Sequence, residues 1–197
     1  MSTETATKRM TAESFWDWVH LPENTNRWFE LVRGEVIELP PPSKPHGAIS
    51  ANISRILGNF AFQQGKGYIA SNDSGVILQR DPDTVRGPDV AYYEDADSFA
   101  ELHPKYGEVP PRLAVEVLSP NDRADQVMGK ITDYLKSGVA MVWVFDPQRR
   151  TVTVHRPDRA QVALGDDMEL AGDDVLTGFR SRVSDFFRLP GERSKAG

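Results

Sequence analysis

Residues 112–118 read Arg112-Leu113-Ala114-Val115-Glu116-Val117-Leu118, and this stretch decides the fold. From Leu113 onward every position but Glu116 is apolar. A strand wetted on one face would alternate apolar with polar residues, so the unbroken run predicts a strand covered on both faces. Just downstream, Asp122 to Ser137 has the pattern of a helix. Asp122 is a good N-cap, Val127, Ile131, Tyr134 and Leu135 form one stripe, and Gly138 stands past the end. Met141 to Phe145 is a second nearly uninterrupted apolar strand, as expected inside a mixed sheet.

Working outward, Asp89 to Tyr93 and Tyr68 to Gln79 read as further strands, separated by a turn-rich loop containing Asp81-Pro82-Asp83. Ile49, Ile53, Ile56, Leu57 and Phe60 recur at steps of three and four, which predicts a helix over His46 to Gln64 ended by Gly65 and Gly67. Trp28 to Val32 and Glu35 to Leu39 are joined by Arg33-Gly34, a two-residue connection that predicts a tight hairpin before the Pro40-Pro41-Pro42 run. A short helix over Glu13 to Leu21, a half-exposed strand over Thr151 to His155 and a last helix near Val183 to Phe187 complete the outline. The loop from Glu94 to Val109 is long enough either to carry function or merely to move. The fold class is α/β in the α+β sense, a mixed β-sheet flanked by helices with an added N-terminal β-hairpin. One domain over residues 13–189 is expected, with flexible ends at 1–12 and 190–197.

Composition bounds the chemistry. There are no cysteines, so disulfides, thiolate zinc sites and a cysteine nucleophile are excluded, and a metal would have to sit on oxygen or imidazole. The 23 Lys and Arg against 29 Asp and Glu give a net charge of −6, which argues against a generic nucleic-acid-coating surface. It does not exclude an enzyme that meets nucleic acid through one local patch. Met1 to Met10 has no apolar core of a signal peptide, and no stretch approaches the roughly 20 apolar residues of a membrane span. A cytoplasmic location and no membrane partner are the default expectations.

Glu116 carries the most information. An ionised, unpaired carboxylate in an apolar interior costs several kcal/mol, so the chain must supply a metal, a cation or a shifted pKa. The structural alternatives are a pair with Arg or Lys, or a strand end that reaches water. Asp89, directly after Gly87-Pro88, would by itself be read as a turn residue. Beside Glu116 on a neighbouring strand it would complete a carboxylate pair able to share a hard divalent cation. The hairpin turn pairs Glu30 with Ile37, on one face with Trp28 and Leu39, an apolar setting for either a third acid or the partner of an Arg. His46, at a helix start, can face the site or merely serve as a surface or capping group. Arg86 and Arg123 are candidate phosphate contacts. His20, His103 and His155 have no metal-ligand spacing, and the chain has no nucleophile elbow, P-loop or dinucleotide fingerprint.

The ordered set Arg86-Gly87-Pro88-Asp89-Val90, then Leu113 to Pro120, then Lys130 and Tyr134 ahead of Gly138 and Val142-Trp143-Val144, resembles the Uma-type family of putative restriction endonucleases. That family lies within the PD-(D/E)xK nuclease superfamily. The likeness runs from about Trp28 to Phe187 and includes Glu30-Leu31-Val32-Arg33-Gly34-Glu35, His46-Gly47 and Leu176-Thr177-Gly178-Phe179. It implies a restriction-endonuclease-like core of a helix, a three-strand meander, a second helix and a parallel strand. It also implies magnesium, with manganese as a substitute, on Asp89, Glu116 and the Val117 carbonyl, and a nucleic-acid substrate, DNA first.

One departure stands out: the superfamily places Lys two residues after the second acid, where this chain has Leu118. Some members supply that lysine from the next helix. At about 100° per residue, Lys130 falls roughly 60° from Val127, at the border of the buried stripe, so its stem can run along the core toward the sheet edge. A solvated flanking lysine fits that geometry equally. Cutting both strands of a duplex suits a homodimer. Two rival readings stand beside the nuclease: a non-cleaving nucleic-acid-binding or interaction module, favoured by the acidic charge and Leu118, and a metal-free carboxylate-pair hydrolase of sugars. The second would need Trp16, Trp18 or Trp28 exposed as a sugar platform.

Overall fold

The computed structural model describes residues 9–192. The expected flexible ends fall mostly outside that range, at 1–8 and 193–197. Of the rest, Met10 N–H donates to the Gly34 carbonyl at 3.0 Å and Ala12 is already helical and buried.

In chain order, helix α1 (Ala12–Val19) precedes the hairpin β1 (Trp28–Val32) and β2 (Glu35–Leu39). Arg33 and Gly34 both have positive φ, 51° and 80°, the backbone that a two-residue hairpin turn requires. Helix α2 (Lys44–Gln64) follows, capped by the Ser43 side chain and ended by Gly65 in the left-handed region. Then come β3 (Tyr68–Ser71), β4 (Val76–Gln79), β5 (Thr84–Arg86), β6 (Val90–Tyr93) and β7 (Leu113–Val117). Helix α3 (Ala124–Lys136) leads to β8 (Met141–Asp146), β9 (Thr151–Arg156), β10 (Arg159–Leu164) and the short ribbon β11 (Glu169–Ala171) and β12 (Arg180–Arg182).

The main sheet has six strands in the order β10-β9-β8-β7-β6-β3. Only β7 and β8 are parallel, joined across α3; the other neighbours are antiparallel, so the sheet is mixed as expected. One face carries Leu113, Val115, Val117, Trp143 and Phe145 and packs on α2 through Ile49, Ile53 and Leu57. The opposite face carries Ala114, Val142 and Val144 under Ile131 and Tyr134 of α3. Covering on both faces is why β7 and β8 read as continuous apolar runs.

A second sheet, β2-β1-β5-β4, packs one face on Phe15 of α1. Here the structure corrects the expectation of a single strand over Tyr68 to Gln79. The chain breaks at Asn72 and Asp73, whose φ values of 64° and 54° turn it from the main sheet into the smaller one. Two further details of the helices differ. Asp122 does not cap α3; Arg123 takes that position, and the Asp122 carboxylate instead accepts the Ser119 N–H at 2.7 Å, closing the preceding turn. The last helix is a single 3-10 turn, Val183–Phe186, with Val183 and Phe186 buried. The 94–109 loop is tied down by Tyr106, which stacks on Phe15, and by the Gly107 carbonyl, which accepts from Ile77 N–H.

A close backbone junction just before β6 is at Gly87. A Cβ there would lie 2.5 Å from the Asp73 carbonyl oxygen, so only glycine lets the two segments touch. Gly87→Ala should therefore destabilise the fold by about 1–3 kcal/mol through backbone displacement, seen as a lower urea midpoint at unchanged slope; an unaltered midpoint would show the junction is slack.

Candidate active site

Strand register brings the two acids together. Val90 pairs with Val115 and Ala91 with Ala114, and one more step outward sets Asp89 opposite Glu116. Directly opposed residues on one face have Cβ atoms about 4.5–5.5 Å apart. Both side chains point to the α3 face and line one cavity of about 340 Å³, together with Glu30, His46, Asp73, Arg86 and Lys130.

Each carboxylate is held from two sides. Glu116 Oε1 accepts the Tyr134 hydroxyl at 2.7 Å and Oε2 accepts Lys130 Nζ at 3.0 Å. Asp89 Oδ2 accepts the Val117 N–H at 2.6 Å, while Oδ1 lies 3.1 Å from His46 Nε2. Lys130 and Tyr134 stand four residues apart on α3, which puts them on neighbouring turns of one helix face. Lys130 therefore sends its ammonium to the acid from the helix, and the absence of a lysine at Leu118 does not leave the acids without one.

Glu30 is the partner of an arginine and lies beside Lys130 in the same cavity. It lies 2.7 Å from Arg86 Nη1 and 3.2 Å from Lys130 Nζ, and its other contact is the Gly87 N–H at 3.3 Å. The expected pairing of Glu30 with Ile37 holds. Arg86, the candidate phosphate contact, lines the same cavity and is already in ion pairs. It is 8% exposed, and its guanidinium is divided between Glu30 and Asp133, the latter 2.6 Å from Nη2. Arg123 stays away from the acids: it caps α3, is exposed, and pairs with Asp125 at 3.1 Å.

The charge balance shows in the titration of these groups. Burial raises the Glu116 pKa above the usual carboxylate range; the Lys130 ammonium opposes the rise and the charges of Asp89 and Glu30 add to it. Burial alone would lower Lys130, but Glu116, Glu30 and Asp89 more than reverse it, so the amine stays protonated. The bond to Asp89 raises His46 against the effect of burial. Asp73 is the member that the sequence reading passed over. Burial, and then the charge of Asp89, push its carboxyl up to about 6. The signal lay in Asn72-Asp73-Ser74-Gly75, a turn cluster inside what reads otherwise as one strand.

Glu30, Asp73, Asp89 and Glu116 thus crowd one side of a small cavity, with two fixed cations, Arg86 and Lys130, already in ion pairs. Among the described residues, no three His, Asp or Glu side chains surround a single point ready for an ion. A divalent cation would have to rest on the opposed carboxylates and on water or substrate oxygen. Magnesium is commonly held in that way, by one or two carboxylates plus waters and phosphates, so the donor set fits. Of the tryptophans, Trp28 lines the cavity, whereas Trp18 packs on Phe15 and Phe29, and Trp16 on His20 and Tyr106.

The model of the family described as "Uma2: Putative restriction endonuclease" matches residues 13–184. A crystal structure described as a putative nuclease belonging to DUF820, from Anabaena variabilis ATCC 29413, superposes with a TM-score of 0.75 at 22% identity. The alignment covers 90% of this chain and 97% of that one, a likeness of fold. No curated protein matches the sequence. No helix among the described residues is long and apolar enough to cross a membrane.

Removing one partner of a buried ion pair strands the other charge, at a cost of about 3–5 kcal/mol. Arg86→Met should lose that much stability in denaturant titrations, and Glu30→Gln in the same chain should restore part of it, giving a coupling energy above about 1 kcal/mol. Strictly additive effects would mean that the two groups do not interact.

Proposed function

The chain belongs to the Uma2 family, and from that premise we propose that it is a divalent-metal-dependent endonuclease hydrolysing phosphodiester bonds of nucleic acid, DNA first. The observation that carries this reading is the opposed pair Asp89 and Glu116 with Lys130 Nζ 3.0 Å from Glu116. Two acids and a lysine in that relation are the pattern of the PD-(D/E)xK superfamily, with the lysine arriving from α3 instead of from β7.

Asp89 and Glu116 would hold magnesium, or manganese in its place, with the Val117 carbonyl as a third oxygen. Such an ion supplies Lewis acidity to the scissile phosphate and makes water a better nucleophile. The protein's own groups do the rest. Lys130 keeps a positive charge beside the acids, where it stabilises the charge that develops on phosphoryl oxygens. Tyr134 fixes Glu116 by its hydroxyl, and the Val117 N–H fixes Asp89, so both carboxylates are oriented before substrate arrives. His46 must release Asp89 Oδ1 or share it. Arg86 keeps Glu30 beside Lys130 and so acts through its neighbours; Arg123, solvent-exposed at the start of α3, would exchange its exposed partner Asp125 for a phosphate. A homodimer would set two such sites against the two strands of a duplex.

A second reading has its own observation. All four oxygens of Asp89 and Glu116 already have partners without an ion, as a nucleic-acid-binding or interaction module that cleaves nothing would also require. Magnesium calorimetry separates the two, because only the nuclease needs an ion at these acids.

Plasmid and short duplexes should be cut by the wild type in magnesium or manganese and not in EDTA. Asp89→Ala, Glu116→Ala and Lys130→Met should each lower the rate about a hundredfold or more. Equal cutting by all four proteins would assign the activity to another site or a contaminant.

A further inference from the structure

The cavity over the acids has one wall that the hydrolytic chemistry leaves unused. Alternate residues of β1 face it, so Trp28, Glu30 and Val32 look in while Phe29 and Leu31 pack on the α1 core. Across the hairpin, Leu39 pairs with Trp28 and Ile37 with Glu30, and Pro40 and Pro42 continue the same apolar wall. Trp28 is half-buried, and among the described residues no aromatic ring packs against it, unlike Trp16, Trp18 and Trp143. It stands two strand residues from Glu30, about 7 Å along β1.

The charges beside this wall are wrong for a rigid duplex. Duplex affinity comes largely from Lys and Arg neutralising rows of phosphates. Of the residues lining the cavity, Arg86 and Lys130 carry the fixed positive charges, and both are in ion pairs with buried carboxylates. A volume of about 340 Å³ is at the small end for a ligand pocket, room for one nucleotide-sized unit. Stacking on an exposed ring is how proteins hold unpaired bases without reading their sequence.

We propose that this cavity accepts one unpaired nucleotide, its base against Trp28 and Leu39 and its phosphate beside Lys130, at the cation that Asp89 and Glu116 would hold. The substrate class is then single-stranded or locally unpaired nucleic acid, which pays no unpairing cost to enter. This rests on the nuclease reading above and narrows its substrate: plasmid and duplex would be cut where the strands open locally.

The test is binding, followed by fluorescence anisotropy in EDTA and again in calcium. The probes are a single strand, a perfect duplex, and the same duplex carrying a three-nucleotide loop with 2-aminopurine in the loop. The wild type should bind the single strand and the looped duplex at least about tenfold more tightly than the perfect duplex and quench the 2-aminopurine. Trp28→Ala should lose about tenfold in affinity for the unpaired probes alone, and Trp28→Phe should keep it. A perfect duplex bound as tightly as the looped one, or a bound loop with unquenched 2-aminopurine, would overturn the proposal while leaving the nuclease reading intact. Both wild-type measurements hold whether or not the variants fold. Failure to bind any probe in either condition would take down the nuclease reading and this proposal with it.

Discussion

Glu116 sits on a strand buried on both faces, and its carboxylate is held there because Lys130 and Tyr134 of α3 close on it, against the like charge of Asp89 opposite on β6. Sinking charges costs several kcal/mol per ion even after relaxation, and well-packed apolar residues would often serve stability as well or better. Much of the local architecture follows from meeting that cost. Helix α3 has to run so that Ile131 and Tyr134 pack on β7 and β8 while Lys130, at the border of that stripe, bends to the sheet edge. The parallel pair β7 and β8 then follows from the crossover that α3 makes.

The smaller sheet is the second half of the site. Its hairpin lays one face on α1 and turns the other toward the acids, so a single strand delivers Glu30 to Lys130 and Trp28 to the cavity wall. Arg86 at the end of β5 ties that sheet to α3 through Glu30 and Asp133, a chain of buried charges linking three separate segments. The cavity is therefore a junction between two sheets, where pockets with a few convergent polar groups on an apolar lining commonly form.

The parts of this arrangement that were legible in the sequence are those whose physics is local. β7 and β8 declared themselves by unbroken apolarity, α2 and α3 by their stripes, and the hairpin by Arg33-Gly34. Glu116 and Glu30 stood out as charges in apolar settings, Asp89 as a partner for Glu116 and Lys130 through the family resemblance, and the structure gathers all four in one cavity. Features that depend on the return path of the chain did not show. Asp73 looked like a strand residue because the break at Asn72 is a change of sheet. Arg86 looked like a free cation because Asp133, 47 residues away, is brought to it only by the packing of α3. Strand β10 went unseen since most of its residues face solvent and show no alternation.

The central claim is that Asp89 and Glu116 share one divalent cation. Crystals soaked in manganese and measured at a wavelength where the ion scatters anomalously test it directly. The account predicts a single strong peak within about 2–2.5 Å of a carboxylate oxygen from each residue, with His46 drawn back from Asp89. A peak that touches only one of the two, or none in this cavity beside occupied acids on the surface, would contradict it.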